Sequence, residues 1–135
     1  MQVDIDVKKH GIGKTALVVD DNPAIRRMIS SALLSDGFET CGEAENGKES
    51  LELAREIHPD IVTMDLSMPE MNGLEAAAEL HKLYPKTPII LFTLYGDGLS
   101  SSDAARSGVS LVLPKTTPLS MLVIMAHRLL GMPDR

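Results

Sequence analysis

The sequence predicts an α/β fold built on one doubly wound parallel sheet, and three observations indicate it. Short, nearly unbroken apolar runs are typical of strands that are buried on both faces. Segments with helical spacing separate these runs, and such alternation predicts a helix after each strand. Five (βα) units joined by right-handed crossovers, in a chain of 135 residues, fit the strand order 2-1-3-4-5.

Five segments are predicted strands. The four strongest are mostly β-branched residues or leucine, and they span residues 16–19, 61–64, 89–92 and 110–113. A weaker strand, second in the chain, spans residues 38–44. Its charged Glu39 and Glu43 suit an edge position.

Five helices alternate with these strands. The first begins near Pro23, where Asp21 or Asn22 can cap it, and ends at Gly37. Its apolar stripe has the spacing of one helix face and consists of Ile25, Met28, Ile29, Ala32 and Leu33. The others are predicted at about residues 47–57, 73–83, 99–107 and 118–130.

Composition limits the classes of function. The length fits one domain, which we predict at residues 14–131, after a flexible leader (1–13) and before a short tail (132–135). The net charge of −6 and an aromatic content of 3% argue against nucleic acid as a partner of this domain. The single cysteine suits a reducing compartment, and no apolar run has the length of a membrane helix. We therefore expect a cytoplasmic protein without a membrane partner.

Polar residues stand where the predicted strands end. Asp20 and Asp21 follow the first strand, Asp65 the third, Thr93 the fourth and Lys115 the fifth. Parallel strands bring these ends to one edge of the sheet, and ligands bind there, near the point where the strand order reverses. The two acidic ends lie at that point, between strands one and three.

Three carboxylates in one pocket repel one another and require a proton or a cation. Oxygen ligands with partial access to water suit Mg²⁺, or Mn²⁺ in its place. A carboxylate can also act as a nucleophile and form an aspartyl phosphate, whose oxygens Lys115 and Thr93 could stabilise. Taken singly, each residue has a simpler interpretation, as a helix cap, a loop acid, a turn residue or a solvated lysine. The combination on one edge favours the phosphoryl-transfer site.

The chain resembles the receiver domain of two-component response regulators, which has a flavodoxin-like fold. The resemblance covers about residues 15–130 and rests on residues 17–22, the Asp-x-x-Met-Pro-x-Met-x-Gly stretch at 65–73, Thr93 and Lys115. It implies a phosphorylation-controlled switch in which Asp65 takes a phosphoryl group from a histidine kinase or phosphotransfer protein.

The resemblance also assigns roles. Asp21, Asp65 and the backbone carbonyl of Ser67 would bind the metal directly, and Asp20 would bind it through water. Thr93 would move toward the phosphoryl group and Lys115 would pair with it. The face formed by helix 4, strand 5 and helix 5 would then change and bind a partner or a second copy. Such a domain is no turnover enzyme: at most it catalyses its own phosphorylation and slow dephosphorylation.

The sequence departs from the family pattern at three places. Leu94 replaces the small residue that usually follows the threonine, and this larger side chain predicts narrower access to Asp65. Val112 stands where a switching Tyr or Phe is usual, and Tyr95 is near in the sequence but is not assigned that role. Thr116 replaces the usual proline after the lysine, which resembles regulators with helix-turn-helix DNA-binding output, as does the stretch at 71–76.

Other site types fit less well. Gly13-Lys14-Thr15 resembles the end of a phosphate-binding loop, but Lys8 stands where that loop needs glycine, and a predicted strand follows instead of a helix. An aspartate-nucleophile phosphatase would need an acid at Asn22, and flavin phosphate would be repelled by Asp20 and Asp21. The histidines lack metal-ligand spacing and are predicted at the surface: His10, His58, His81 and His127. A small phosphatase and a phosphorylation-independent interaction module remain as alternatives.

Overall fold

A computed structural model of the protein describes residues 13–94 and 99–132. Its five strands are all parallel and lie in the order β2-β1-β3-β4-β5, which confirms the predicted fold. The strands are β1 (Thr15–Val19), β2 (Thr40–Ala44), β3 (Ile61–Met64), β4 (Ile89–Thr93) and β5 (Leu111–Pro114).

One helix follows each strand, as predicted. The helices are α1 (Pro23–Ser35), α2 (Gly47–Ile57), α3 (Gly73–Leu83), α4 (Ser101–Arg106) and α5 (Leu119–Leu129). Asn22 caps α1, since its side chain accepts hydrogen bonds from the backbone N–H groups of Ala24 and Ile25. Gly37, with a φ of 109°, turns the chain after α1, because glycine adopts this left-handed conformation without strain.

Alternate residues of each inner strand pack on opposite faces of the sheet. Leu17 and Val19 belong to an apolar cluster covered by α2 and α3, whereas Ala16 and Val18 belong to a second cluster covered by α1 and α5. Every residue of β3 and β4 is buried. The prediction of strands buried on both faces is therefore confirmed for the middle of the sheet.

The edges of the sheet differ from the prediction. Strand β2 begins at Thr40 rather than at residue 38, because the Phe38 N–H bonds to the Leu33 carbonyl and closes the end of α1 instead of entering the sheet. Strand β5 is only half-buried and its last residue is exposed, because β5 is an edge strand of the sheet.

Two side-chain predictions are wrong. Met28, assigned to the apolar stripe of α1, is 57% exposed, since it lies at the rim of that face. His127, predicted at the surface, is buried between α1 and α5, where its ring Nε2 forms a hydrogen-bond contact with the Asp36 carboxylate. His58 is exposed as predicted, His81 is half-buried, and His10 lies outside the described residues.

Among the described residues, Thr15 begins strand β1, whereas a phosphate-binding loop would open a helix at this point. Within the described ranges, no helix is long and apolar enough to cross a membrane. The predicted leader and tail fall almost entirely outside these ranges, and the predicted domain bounds stay predictions.

Candidate functional site

The backbone places Asp20 and Asp65 side by side at the carboxyl end of the sheet. The Asp20 N–H donates to the Ala44 carbonyl at 3.0 Å, and the Asp65 N–H donates to the Val19 carbonyl at 2.9 Å. These bonds continue the parallel ladder one residue beyond β1 and β3. Both acids therefore take their positions from the most deeply buried part of the fold.

Three carboxylates meet at this edge. One oxygen each from Asp20, Asp21 and Asp65 lies within 4.8 Å of the others. Asp20 is 1% exposed and Asp65 is 5% exposed, whereas Asp21 faces solvent. Two buried negative charges at this separation repel each other strongly, because water screens them only weakly.

Lys115 supplies a positive charge to the cluster. Its Nζ lies 2.7 Å from Asp20 Oδ2 and 3.4 Å from Asp65 Oδ2. The backbone N–H of Lys115 donates to the Thr93 carbonyl at 3.0 Å, which fixes this residue at the end of β5. One ammonium group offsets only part of the charge of three carboxylates.

The pKa of Asp65 is raised above its ordinary value. Burial contributes most, because it disfavours the ionised form, and the negative charge of Asp20 adds to the effect. The Lys115 ammonium and a hydrogen bond from the Ser67 N–H act in the opposite direction without cancelling the shift. In the protein alone, burial and the neighbouring Asp20 therefore disfavour the ionised form of Asp65.

The donor set fits a small, hard divalent cation. Mg²⁺ prefers oxygen ligands and commonly binds through one or two carboxylates while it keeps several waters. The cluster offers two buried carboxylates and one that is open to solvent. A site of this composition fits Mg²⁺ and Mn²⁺ and does not suit metals that prefer sulfur or imidazole.

Thr93 is the last residue of β4 and is fully buried. Strand β4 lies between β3, which leads to Asp65, and β5, which leads to Lys115. Leu94 follows directly and is 61% exposed. Val112, in the middle of β5, is half-buried and packs against the cluster under α2 and α3, while Tyr95 lies outside the described residues.

Gly73 supports the loop that carries Asp65, a role that the sequence pattern did not reveal. A Cβ atom on Gly73 would lie 2.2 Å from the Asp65 carbonyl oxygen. Because this oxygen belongs to the backbone, no side-chain rotation could remove the clash. The Gly73 N–H donates to the Leu66 carbonyl at 2.8 Å, and Asn72 and Glu75 form a capping box that starts α3 here. The trace that this close approach leaves in the sequence is the glycine at the end of the stretch at 65–73.

Of the simpler interpretations, the structure shows the helix cap directly and contradicts the solvated lysine. Asn22 caps α1, but Asp20 and Lys115 are buried partners rather than solvated side chains. The Ser67 N–H points to Asp65, and the metal-binding role of the Ser67 carbonyl stays a prediction.

Comparison with known proteins identifies a family. The profile of the response regulator receiver domain matches residues 16–127. The chain is 41% identical to the chemotaxis protein CheY of Thermotoga maritima over 97 residues, which are 72% of this chain and 81% of that protein. It is also 41% identical to the regulatory protein AtoC of Escherichia coli over 84% of this chain, but these residues are only 24% of AtoC.

Solved structures show the same fold. A CheY-like receiver domain protein from Methanospirillum hungatei superposes with a TM-score of 0.83 at 25% identity, covering 88% of this chain and 94% of that one. The response regulator protein TrrA from Thermotoga maritima, solved in complex with Mg²⁺ and BeF, has a TM-score of 0.78 at 32% identity, covering 86% of this chain and 98% of that one.

Proposed function

The chain belongs to the response regulator receiver domain family, whose members are phosphorylation-controlled signalling switches, and on that premise we propose that Asp65 accepts the phosphoryl group. The observation that carries this proposal is the buried Asp65 carboxylate, which lies 3.4 Å from the Lys115 ammonium. A nucleophilic carboxylate needs a cation beside it to stabilise the charge that develops on the transferred group.

The transfer begins when a carboxylate oxygen of Asp65 attacks phosphorus on a phosphohistidine of a histidine kinase or phosphotransfer protein. The new O–P bond forms as the P–N bond breaks, and the histidine nitrogen keeps the electron pair. Lys115 pairs with an oxygen of the transferred group, and the Thr93 hydroxyl donates a hydrogen bond to another. Asp20 keeps its contact with Lys115 at 2.7 Å and so holds the ammonium near the reaction.

Mg²⁺ or Mn²⁺ is the proposed cofactor. Asp20, Asp21, Asp65 and the Ser67 carbonyl would hold it, with Asp20 acting through water. The bound cation supplies positive charge to the phosphoryl oxygens. The cluster of three carboxylates supports this proposal, as does the complex of TrrA with Mg²⁺ and BeF.

Phosphorylation would act on the face formed by α4, β5 and α5. Conversion of the Asp65 carboxylate to an aspartyl phosphate changes the charge beside Thr93, the last residue of β4, and beside Lys115, which follows β5. Strand β5 is half-buried, so its packing can change at lower cost than that of β3. This face would then bind a partner or a second copy of the chain.

The domain itself turns over no separate substrate in this proposal. It catalyses its own phosphorylation and slow dephosphorylation in the cytoplasm, and with a charge of −6 it does not bind nucleic acid. A helix-turn-helix output domain in the same protein stays a prediction from the residue after Lys115.

The test is incubation with Mg²⁺ and acetyl phosphate, read by intact mass. We expect one phosphoryl adduct on the wild type and on the control Glu52→Gln, whose side chain is exposed on α2, and none on Asp65→Asn. An adduct that persists in Asp65→Asn would contradict the assignment. Catalytic phosphate release that depends on Asp20 would indicate a phosphatase, and no adduct from any donor or kinase would indicate an interaction module.

A further inference from the structure

We propose that Arg26 is a positioning residue for cation binding, because its guanidinium ties the turn that carries Asp20 and Asp21 to the end of strand β2. The inference rests on the proposed function, since it concerns the same acidic cluster. It adds a residue of α1 that the resemblance did not assign to the site.

Arg26 makes two side-chain contacts from the first turns of α1. Its Nη1 donates to the Asp20 carbonyl at 2.8 Å, and its Nε pairs with Glu43 Oε1 at 3.1 Å. The side chain is only 15% exposed, so it keeps one geometry better than a surface arginine does. The guanidinium therefore bridges the residue after β1 and an edge-strand acid.

Within the described part of the chain, Arg26 bonds to the one polar backbone or side-chain group of Asp20 that its other contacts leave open, the carbonyl. The Asp20 carboxylate is already held on both oxygens, by the Asn22 N–H at 2.9 Å and by Lys115 at 2.7 Å, and the Asp20 N–H bonds to Ala44. Arg26 holds the carbonyl and so fixes the peptide plane between Asp20 and Asp21.

That peptide plane matters most for Asp21. Asp21 is exposed, so packing does little to orient it, yet its oxygen lies in the group of three carboxylates. The direction in which its side chain leaves the backbone follows from the conformation of the turn. Without Arg26, the turn samples more conformations and cation binding must order it, which lowers affinity.

Charge and positioning predict effects of opposite sign. Removal of a positive charge near three carboxylates would strengthen Mg²⁺ binding if only electrostatics acted. Loss of the bridge would weaken it. Lysine cannot replace the bridge, because one ammonium lacks the planar fork that reaches two acceptors in fixed directions.

The experiment is calorimetric titration of the full chain with Mg²⁺ and no phosphodonor, on Arg26→Met, Arg26→Lys and the control Arg27→Met. Arg27 is exposed and adjacent, so its loss removes the same charge without the bridge. We expect Arg26→Met to raise the Mg²⁺ dissociation constant about three- to tenfold and Arg26→Lys to raise it by a similar factor. For Arg27→Met the constant should stay within about twofold of the wild type.

Equal or tighter binding by Arg26→Met, or full rescue by Arg26→Lys, would overturn the inference. If Arg26→Met loses the circular dichroism spectrum of the folded protein, Arg26→Lys and Glu43→Gln serve as the test instead. Glu43→Gln keeps the arginine and weakens its contact with β2. Wild-type Mg²⁺ affinity in both variants would also overturn the inference. Failure of the wild type to bind Mg²⁺ would defeat the proposed function as well. Only the inference would fail if the wild type binds Mg²⁺ and is phosphorylated on Asp65 while Arg26→Met keeps the wild-type Mg²⁺ affinity.

Discussion

Strands β3 and β5 lie two positions apart in the same sheet, but they are buried to different degrees. All four residues of β3 are buried, whereas the first three of β5 are half-buried and the last is exposed. Asp65 follows β3 and Lys115 follows β5, so the acid stands on the rigid side of the pocket and the ammonium on the less tightly packed side. In the proposed switch, this division would keep the phosphoryl acceptor Asp65 in place and let the surface near β5 change.

Lys115 joins the two regions, and its removal should have the largest effect. Lys115→Met leaves Asp20 and Asp65 buried without their cation, which we expect to cost about 3 kcal/mol of unfolding free energy. Excess Mg²⁺ should restore much of that loss, because it supplies the missing charge. Chemical denaturation with and without Mg²⁺ measures both quantities.

Lys82→Met is the matched control for that variant. Lys82 pairs with Glu79 on α3 at 3.5 Å, but it is exposed, so its loss should cost no more than about 0.5 kcal/mol. A Lys115→Met protein as stable as Lys82→Met would show that Lys115 does not compensate the buried acids.

One substitution in both strands tests the difference in packing directly. Val62 of β3 and Val112 of β5 contact the same apolar cluster, but Val62 is 1% exposed and Val112 is half-buried. We expect Val62→Ala to cost about 2 kcal/mol and Val112→Ala about 1 kcal/mol or less, because the cavity left behind is larger at the buried site. Equal losses in urea denaturation would mean that β5 is packed as tightly as β3.

The same difference explains which parts of the fold could be predicted from the sequence. The runs at 16–19 and 61–64 predict β1 and β3 because strands buried on both faces are mostly apolar, with Thr63 as the exception in β3. The bounds of the edge strands moved by one or two residues, because an edge strand has one partner and its ends depend on local contacts such as Phe38 to Leu33. Helical spacing assigned Met28 to the apolar stripe of α1 but could not show that it lies at the rim of that stripe.

The candidate site was predictable where it depends on topology and not where it depends on long-range contacts. Strand order alone brings together the residues at the carboxyl ends of β1, β3, β4 and β5. The position of Arg26 was not predictable, because one acceptor is a backbone carbonyl, which no side-chain motif encodes, and the other, Glu43, lies 17 residues away in the chain. The burial of His127 depends on Asp36, which lies 91 residues away in the chain, and no local pattern links them.

Asp65→Asn tests the electrostatic side of the comparison. The folded-state pKa of Asp65 is raised. Below the unfolded pKa, about 3.9, Asp65 is protonated and the protein has its full unfolding free energy. As the pH rises through the folded pKa, Asp65 ionises in the folded protein and that stability is lost. Asp65→Asn should therefore match the wild type at low pH and exceed it at neutral pH by about 1 kcal/mol, or a few degrees in the unfolding midpoint.

Thermal unfolding from pH 3 to pH 8 measures this difference, with Glu52→Gln as the control for loss of an exposed acid. Mg²⁺ should raise the midpoint of the wild type and narrow its gap to Asp65→Asn, because the cation relieves the same repulsion. An Asp65→Asn protein less stable than the wild type at neutral pH would show that the Asp65 charge is already compensated by Lys115 and Ser67.

Leu94 gives the smallest expected effect, and its exposure sets that limit. Leu94 directly follows Thr93 and is 61% exposed, so little packing holds its side chain over Asp65. Leu94→Ala should change stability by less than about 0.5 kcal/mol and speed phosphorylation by acetyl phosphate about two- to threefold, which is under about 0.7 kcal/mol of barrier. Leu83→Ala, at the similarly exposed end of α3, should leave the rate unchanged. Identical rates for both variants would show that the larger residue after Thr93 does not restrict access to the pocket, whereas a tenfold gain would mean that Leu94 covers Asp65 more firmly than its exposure indicates.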